Sequence, residues 1–274
     1  MVFLPRRRSS AGFDHQDRSY NRDEVEHTMN NYEFCSQWVL GRRANGAIRV
    51  LDYGCGTGTI VKLLRDHGVE AFGCDVFYEG KDYSVEIDPA FFAQSIRRME
   101  GESRIVPFSD ASFDYVISNQ VFEHVVDLEG ALAEIRRVLK PGGELLSLFP
   151  DKGVWREGHC GIPFLHWFPK GSQPRVYYAA VFRILGFGYH KLDKTPIRWS
   201  RDFCEWLDKW TYYRSRKDID HAFRRHFQAI ESIEHIWLLQ RFGGHPLLSV
   251  KMPAAMHRLI VRKLGGLVFV ARKT

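Results

Sequence analysis

The chain of 274 residues is 45% hydrophobic and 26% charged, and a chain of this length and composition can bury a complete core. Its apolar runs all fall short of the roughly 18 residues that a membrane helix needs, which argues against a spanning segment. The five cysteines are scattered without a C-x-x-C pair, so we expect reduced thiols rather than a disulfide framework or a structural zinc site. The apolar segment before the first arginines is too short for a signal peptide, and we expect a cytoplasmic protein.

The positive charge of the chain is concentrated in one segment. The whole sequence has a net charge of +6, but residues 161–230 hold 13 Lys and Arg against 6 Asp and Glu. The same segment contains 16 of the 38 aromatic residues. A merely solvated charged face does not require so many rings, so this composition predicts a specific binding surface.

The first half of the chain predicts alternating helices and strands. The N-terminal segment, residues 1–45, includes a predicted helix from residue 21 to about residue 40 that ends at Gly41. Then "IRVLDYG" is typical of a strand, "GTIVKLLRDHG" of a helix and "VEAFGCD" of a second strand. A β-α-β unit of this kind favours a parallel sheet.

The alternation continues to Pro150 and then breaks. "FDYVISN" and "ELLSLFP" are predicted strands on either side of the helix "LEGALAEIRRVLKPGG". Residues 151–217 form a predicted insertion that is aromatic-rich and mostly helical, with helices near 174–185 and 201–213. "KDIDHAFRRHF" resumes as a helix, "QAIESIEHIWL" is a candidate strand and "GGLVFVARK" is a strand. We therefore predict one doubly wound, Rossmann-like α/β domain over residues 1–274, interrupted by this insertion.

The loop "VLDYGCGTGT", residues 50–59, predicts a ligand site between a strand and a helix. Gly54, Gly56 and Gly58 leave the space that a side chain would fill. Their G-x-G-x-G spacing differs from the G-x-G-x-x-G of dinucleotide sites. Asp52 would repel a pyrophosphate but would attract an ammonium group, and Asp75 at the end of the next strand can accept hydrogen bonds from ribose hydroxyls. A ligand with both groups is S-adenosylmethionine.

At these residues the chain resembles the class I S-adenosylmethionine-dependent methyltransferases. The resemblance covers about residues 48–150 and rests on "VLDYGCGTGT", "GCD", "IVPFSDASFDYVISNQVFEHV" and "EIRRVLKPGG". It implies that the three glycines line the methionine moiety and that Asp75 binds the ribose. It also implies that Asn119 and Gln120 lie on the sulfonium side and that Glu102 accepts from the adenine amine. The stretch "FFAQSIRRMEG" stands where a strand usually precedes that acid, and residues 76–90 are irregular for the family.

Three histidines are candidates for a catalytic base. Transfer of a methyl group from a sulfonium depends mainly on alignment, but a neutral hydroxyl acceptor also needs a group to take its proton. His124 follows the strand "FDYVISN", whereas His159 and His166 lie in "EGHCGIPFLHWFPKG". Each histidine could instead serve packing. A metal site formed by Asp151, His159, Cys160 and His166 is conceivable, but it matches no compact ligand spacing, so a divalent metal is a possible cofactor that the sequence does not favour.

The insertion predicts the class of acceptor. Aromatic rings stack on sugars, and basic side chains such as Lys170, Arg175, Arg183 and Arg198 suit phosphates. Residues 157–216 also resemble bacterial methyltransferases of polysaccharide assembly. We expect O-methylation of a sugar, an oligosaccharide or a lipid-linked glycan, with peripheral membrane contact.

Other interpretations of the insertion and of the chain remain open. The aromatic residues could simply form a core for the insertion. The protein could methylate RNA or another small molecule, although nucleic acid is a disfavoured partner because no RNA-binding module is recognisable. It could also bind S-adenosylmethionine without catalysing a reaction. The sequence leaves the oligomeric state open.

Overall fold

The computed structural model describes residues 29–43, 46–78, 82–100, 105–191, 193–242 and 253–274. Much of the predicted N-terminal helical segment, including the proposed helix start at residue 21, lies outside this range. The described helix α1 runs from Asn31 to Leu40. Its first turn is closed by a capping box in which the Asn30 and Glu33 side chains each accept from the other's backbone N–H.

The described residues form one seven-stranded sheet in the order β3-β2-β1-β4-β5-β7-β6. The strands up to β5 are parallel, whereas β7 is antiparallel to both β5 and β6. The strands are β1 Arg49–Tyr53, β2 Glu70–Asp75, β3 Ile96–Arg98, β4 Phe113–Asn119, β5 Leu139–Phe149, β6 Ala229–Ser232 and β7 Leu267–Arg272.

Helices cover both faces of this sheet. Buried side chains of α4 and α7 form a cluster on one face with those of β4 and β5. Buried side chains of α1, α2, α8 and α9 form the cluster on the other face. The predicted doubly wound, Rossmann-like class is therefore confirmed. The helices after α1 are α2 Thr59–Asp66, α3 Pro89–Ser95, α4 Leu128–Val138, α5 Gln173–Ile184, α6 Pro196–Trp210, α7 Arg216–His226, α8 Glu234–Phe242 and α9 Ala254–Leu264.

Between β1 and β4 the direction in which successive strands are added to the sheet reverses, although the two strands are parallel. From β1 the chain adds β2 and β3 on one side, and β4 and β5 lie on the other. In an open parallel sheet the ligand crevice lies at the carboxyl ends of the strands at this switch point. The ends of β1, β2, β4 and β5 therefore determine which side chains can reach a ligand.

Two sequence-based assignments were wrong. The stretch "FFAQSIRRMEG" does contain a strand, because α3, capped by the Asp88 side chain, ends at Ser95 and β3 then pairs with β2. The candidate strand "QAIESIEHIWL" is a strand only over β6. The chain then turns into α8 as the Ile233 N–H donates to the Val268 carbonyl at 2.9 Å.

The insertion has a core of its own, in which aliphatic side chains pack with some of its aromatic residues. Buried side chains from the segment after β5, from α5 and from α6 form a third cluster. The buried Arg175 side chain pairs with Asp208, and Lys170 Nζ donates to the carbonyls of Asp208 and Thr211. These two basic residues therefore join the insertion's segments, which corrects the expectation that they are available for a phosphate. The members of the third cluster are Cys160, Ile162, Leu165, Val176, Ala179, Trp199, Phe203, Cys204 and Leu207.

The five cysteines are buried free thiols, as the sequence predicted. Among the residues that the structure describes, no helix has both the length and the apolar character needed to cross a bilayer.

Replacing Gly54 with alanine should destabilise the protein by about 3 kcal/mol or more, because a steric collision adds to an unfavourable φ. Gly54 has a φ of +78°, and a Cβ there would lie 2.4 Å from a methyl carbon of Val121. Gly68→Ala is the matched control, since Gly68 has a φ of +72° and no atom of the described residues beyond its chain neighbours lies within 4 Å of an added Cβ. That control should lose only about 1–2 kcal/mol.

Denaturant unfolding gives both free energies. Adding Val121→Ala should recover part of the free energy of unfolding that Gly54→Ala removes. It should recover none of the free energy that Gly68→Ala removes. Equal losses in the two single variants would contradict the close contact at Gly54.

Candidate active site

The glycine loop between β1 and α2 is held in place by backbone hydrogen bonds. The N–H groups of Gly54 and Cys55 both donate to the Cys74 carbonyl, at 2.8 and 3.1 Å, and so join the loop to the end of β2. All three glycines of the loop have positive φ, and a Cβ at Gly54 or Gly58 would collide with a protein side chain. At Gly56 the nearest atom to an added Cβ is on Tyr83, at 3.9 Å. Only Gly56 therefore opens onto free space, whereas Gly54 and Gly58 are required by packing.

Asp75 ends β2 with its carboxylate oriented by two backbone donors. Oδ2 accepts from the Gly56 N–H at 2.8 Å and Oδ1 accepts from the Phe77 N–H at 3.0 Å. A carboxylate offers about four lone-pair positions, so each oxygen can accept a further bond from a ligand hydroxyl. The geometry therefore fits the predicted ribose contact.

Asp52 lies on β1 and is only 3% exposed. Burial, with a further contribution from the negative charge of Asp75, raises the pKa of Asp52 to about 8. Burial and the charge of Asp52 in turn raise the pKa values of Tyr32 and Cys35, which places α1 beside this carboxyl group. A ligand ammonium group would stabilise the ionised form of Asp52, so the site fits the amino-acid end of the predicted cofactor.

Asn119 and Gln120 lie where β4 ends. The Asn119 Oδ1 atom accepts from Asn31 Nδ2 at 3.3 Å, which connects the start of α1 to the sheet. The Gln120 N–H donates to the Leu148 carbonyl at 2.7 Å, and Gln120 has a φ of +57°. Asn31 was not predicted as a site residue. Glu102 lies outside the described residues, so its adenine contact stays a prediction.

On the acceptor side, His159 lies between a carboxylate and a second histidine. Its Nδ1 atom is 2.7 Å from Glu157 Oε1, and its Nε2 atom is 3.1 Å from His124 Nε2. His124 Nδ1 lies 2.7 Å from the Trp210 carbonyl oxygen. His124 follows β4, whereas Glu157 and His159 follow β5, so the structure brings two of the three predicted histidines together.

The partners of these rings define where the protons are. A carbonyl oxygen only accepts, so His124 Nδ1 carries a proton and donates it to Trp210. An ionised carboxylate also only accepts, so His159 Nδ1 donates to Glu157. The two Nε2 atoms therefore face each other as basic nitrogens that can hold one proton between them.

Glu157 is a completely buried carboxylate that remains ionised. Burial by itself would raise its pKa, but the charge and hydrogen bond of His159 act against this effect. Hydrogen bonds from the Tyr213 hydroxyl at 2.6 Å and the Cys160 N–H at 2.7 Å add to them. The net result lowers the pKa of Glu157 to about 2. Glu157 and Tyr213 were missed in the sequence, although Glu157 is only two positions before His159.

Aromatic rings surround the histidine pair and connect it to the cofactor side. The Tyr78 ring lies 4.6 Å from the Trp210 ring and 6.3 Å from the His124 ring, measured between centroids. Burial, together with the charges of Asp75 and Glu123, raises the pKa of Tyr78. The Trp206 ring lies 5.3 Å from that of His159. Tyr78 therefore lies between the predicted ribose carboxylate and the predicted bases.

His166, the third predicted base, has a different environment. It is buried in the short helix Leu165–Trp167, with its ring 4.7 Å from that of Tyr213. Burial lowers the pKa of His166. The geometry therefore gives His166 a packing contact with Tyr213, and its catalytic role stays a prediction.

One group among the described residues has the spacing of a metal site. Donor atoms of Glu123, His124 and His159 lie within 4.8 Å of one another. This group differs from the disfavoured set of Asp151, His159, Cys160 and His166. In that set, burial raises the pKa of the Cys160 thiol well above its usual value, so a thiolate ligand is unfavourable there.

A comparison with known proteins matches the part of the chain that contains the glycine loop. The family model described as "Methyltransferase domain" matches residues 51–147. A sterol 24-C-methyltransferase from Yarrowia lipolytica is 30% identical over 94% of this chain and 73% of that protein. A malonyl-[acyl-carrier protein] O-methyltransferase from Erwinia pyrifoliae is 33% identical over 54% of this chain. The chain covers only 53% of the length of that O-methyltransferase.

An S-adenosylmethionine-dependent methyltransferase from Mesorhizobium loti aligns over 88% of this chain and all of its own, with 17% identity and a TM-score of 0.49. The family match and the long alignment to the Yarrowia protein show that the chain belongs to the class I S-adenosylmethionine-dependent methyltransferases.

The raised pKa of Asp52 predicts that S-adenosylhomocysteine binds more weakly as the pH falls below about 8. The ligand's ammonium group needs the ionised carboxylate, so affinity should fall by up to about tenfold per pH unit below that pKa. Isothermal titration calorimetry at several pH values measures this dependence.

Asp52→Asn is the matched control, because the amide keeps the shape of the side chain and does not titrate. This variant should bind more weakly and lose this part of the pH dependence. A wild-type affinity that stays constant from about pH 8 to about pH 6 would contradict an ammonium contact at Asp52.

Proposed function

We propose that this methyltransferase transfers a methyl group to a hydroxyl oxygen of a sugar, an oligosaccharide or a lipid-linked glycan, with His159 as the general base. The observation that carries the proposal is the hydrogen-bonded series from Glu157 through His159 to His124. A buried ionised carboxylate on Nδ1 leaves Nε2 as the basic atom of the ring, which is the orientation that a general base needs.

The cofactor supplies a methyl group on a positively charged sulfur, which makes the methyl carbon electrophilic. The chain's own residues then have two tasks. Asp52, Gly56 and Asp75 hold the cofactor at the ends of β1 and β2, and the histidine pair takes the proton of the attacking hydroxyl. Because the two Nε2 atoms are 3.1 Å apart, a proton received by His159 can be shared with His124. Sharing lowers the cost of placing a positive charge in this partly buried site.

The lining of the site supports a sugar-like acceptor. Rings of Tyr78, Trp206 and Trp210 lie around the histidine pair, and aromatic faces stack on the apolar faces of sugars. The Tyr78 hydroxyl is buried without a hydrogen-bond partner among the described residues, and an acceptor hydroxyl can supply one.

A second candidate function is methylation of carbon. It is favoured by the Yarrowia relative, named as a sterol 24-C-methyltransferase, which aligns over 94% of this chain. Aromatic rings can also stabilise a positive charge on a carbon skeleton. The ionised Glu157 behind His159 favours the oxygen reaction, because a base is needed at the start of that reaction to activate the hydroxyl.

Labelled S-adenosylmethionine tests the proposal directly. The protein is incubated with the labelled cofactor and with sugars, polyprenyl-linked saccharides, sterols and RNA as separate acceptors, and the product is analysed by NMR. We expect label on an oxygen of a saccharide. Label on carbon would support the second candidate, label on RNA would contradict a saccharide acceptor, and cofactor binding without transfer to any acceptor would indicate a binding protein.

His159→Gln should lower kcat by about 10²- to 10⁴-fold. It should leave S-adenosylhomocysteine affinity nearly unchanged, because Glu157 and His124, which His159 contacts, lie on the acceptor side of the site. His221→Gln, on the exposed surface of α7, is the matched control and should keep full activity. Full activity of His159→Gln would remove this residue from the mechanism.

Glu157→Gln tests whether Glu157 strengthens His159 as a base or only supports the structure of the site. Loss of the negative charge makes protonated His159 less stable, so the rise of kcat/KM with pH should shift to lower pH. The plateau should also be lower, since the ring is a weaker base. A variant that loses activity by an equal factor at every pH would show that Glu157 serves only structure.

A further inference from the structure

Helix α5 presents a continuous apolar surface to solvent. One face of the helix is buried against the rest of the insertion through Val176, Ala179 and Ala180. The opposite face and the turn after it expose large apolar side chains, with Ile184 at 70% and Leu185 at 66% exposure. We call this surface the α5 apolar face; its members are Tyr177, Val181, Ile184, Leu185 and Phe187.

The end of this surface has a fixed geometry. Gly186 and Gly188 both have positive φ and form the turn that brings Phe187 back against the helix. The Phe187 N–H donates to the Phe182 carbonyl at 3.0 Å, and the two rings lie 5.2 Å apart. The exposed apolar side chains are therefore displayed together by an ordered helix end.

Two basic side chains lie at the end of the α5 apolar face. They are Arg183 and Lys191, and the acidic residue nearest to them in the sequence is Asp193. Lys170 and Arg175 do not contribute, because they are held by carbonyl groups and by Asp208. Lys191 Nζ donates to the Gly186 carbonyl at 2.6 Å, which places an ammonium group between Leu185 and Phe187. Arg183 lies with its guanidinium 6.0 Å from the Trp199 ring centroid, in the last turn of α5. Apolar side chains next to basic groups favour the interface of an anionic membrane.

The α5 apolar face lies one helix layer from the histidine pair. Helix α5 packs on α6 and is attached to it by the buried Arg175–Asp208 ion pair. Helix α6 contributes Trp206, whose ring is 5.3 Å from that of His159. Packed helices are about 8–10 Å apart, so an acceptor carried by a lipid could reach the site while its chain stays in the bilayer.

We propose that the α5 apolar face docks the protein onto the surface of an anionic lipid bilayer, so that the acceptor arrives as the headgroup of a lipid. This inference rests on the proposed function for the identity of the acceptor, but the docking itself does not. The helix lies in the interface, with Val181, Ile184 and Leu185 among the acyl chains and Lys191 at the level of the lipid phosphates.

Vesicle sedimentation tests the docking. The full chain is mixed with vesicles of phosphatidylcholine alone, or of phosphatidylcholine with about one third phosphatidylglycerol, at about 0.15 M and about 1 M salt. We expect binding to the anionic vesicles at the lower salt concentration, weaker binding at the higher one, and little binding to phosphatidylcholine alone. The double variant Ile184→Ser/Leu185→Ser should reduce the binding at least about tenfold.

The control variant is Leu239→Ser, because Leu239 is an exposed apolar residue on α8, outside the α5 apolar face. It should bind vesicles as the wild type does, and the melting temperature of each variant reports whether it is folded. Equal vesicle binding by the wild type and the folded double variant would overturn the proposal. A second result would also overturn it. If the wild type is a dimer that does not bind vesicles and the double variant is a monomer, the α5 apolar face joins two copies of the chain.

The two proposals fail separately. The double variant should keep the wild-type affinity for S-adenosylhomocysteine and the wild-type rate with a water-soluble saccharide acceptor. Methyl transfer without vesicle binding would refute only the docking. Vesicle binding without methyl transfer to any saccharide would refute only the proposed function.

Discussion

The acceptor side of this protein depends on one buried charge. Glu157 is wholly inaccessible to solvent, and a carboxylate in that position is stable only if donors surround it. The His159 ring, the Tyr213 hydroxyl and the Cys160 N–H provide them. These contacts also fix the orientation of the His159 ring. Its Nε2 atom then lies against Nε2 of His124, so that the loop after β5 meets the segment after β4. Satisfying one carboxylate therefore assembles the pair of basic nitrogens.

The cofactor side obeys a different constraint, which is set by the sheet. Because β1 and β2 are parallel neighbours, their carboxyl ends place Asp52 and Asp75 near each other, and each negative charge disfavours the other. Asp75 is compensated by the N–H groups of Gly56 and Phe77, whereas Asp52 stays protonated near neutral pH until a cation arrives. A ligand that combines a positive amino group with ribose hydroxyls satisfies both carboxylates, and a diphosphate satisfies neither.

The sequence signals of the predicted cofactor side are local. The glycine loop, Asp52 and Asp75 lie within one β-α-β unit, so their neighbourhood follows from chain order alone. The reason for two of the glycines was not predictable, since Val121 and Ile96, which would collide with a Cβ at Gly54 and Gly58, come from distant segments.

The acceptor side was predicted only in part, for the same reason. His124 and His159 were recognisable as candidate bases after strand ends. They are 35 residues apart, however, and their contact is a property of the folded insertion. The Tyr213 hydroxyl reaches Glu157 across 56 residues, which no local pattern indicates. The three-residue β3 was also missed, because a strand of that length directly after a helix has too few residues to display a period.

Nitrogen-15 NMR of the histidine rings tests most directly whether Glu157 makes Nε2 the basic atom of His159. The account predicts that, near neutral pH, Nδ1 of His159 and Nδ1 of His124 both carry a proton. It also predicts that Glu157→Gln changes the signal of the His159 ring far more than that of His226, the last residue of α7. A His159 ring that is protonated at Nε2 and bare at Nδ1 in the wild-type protein would contradict it.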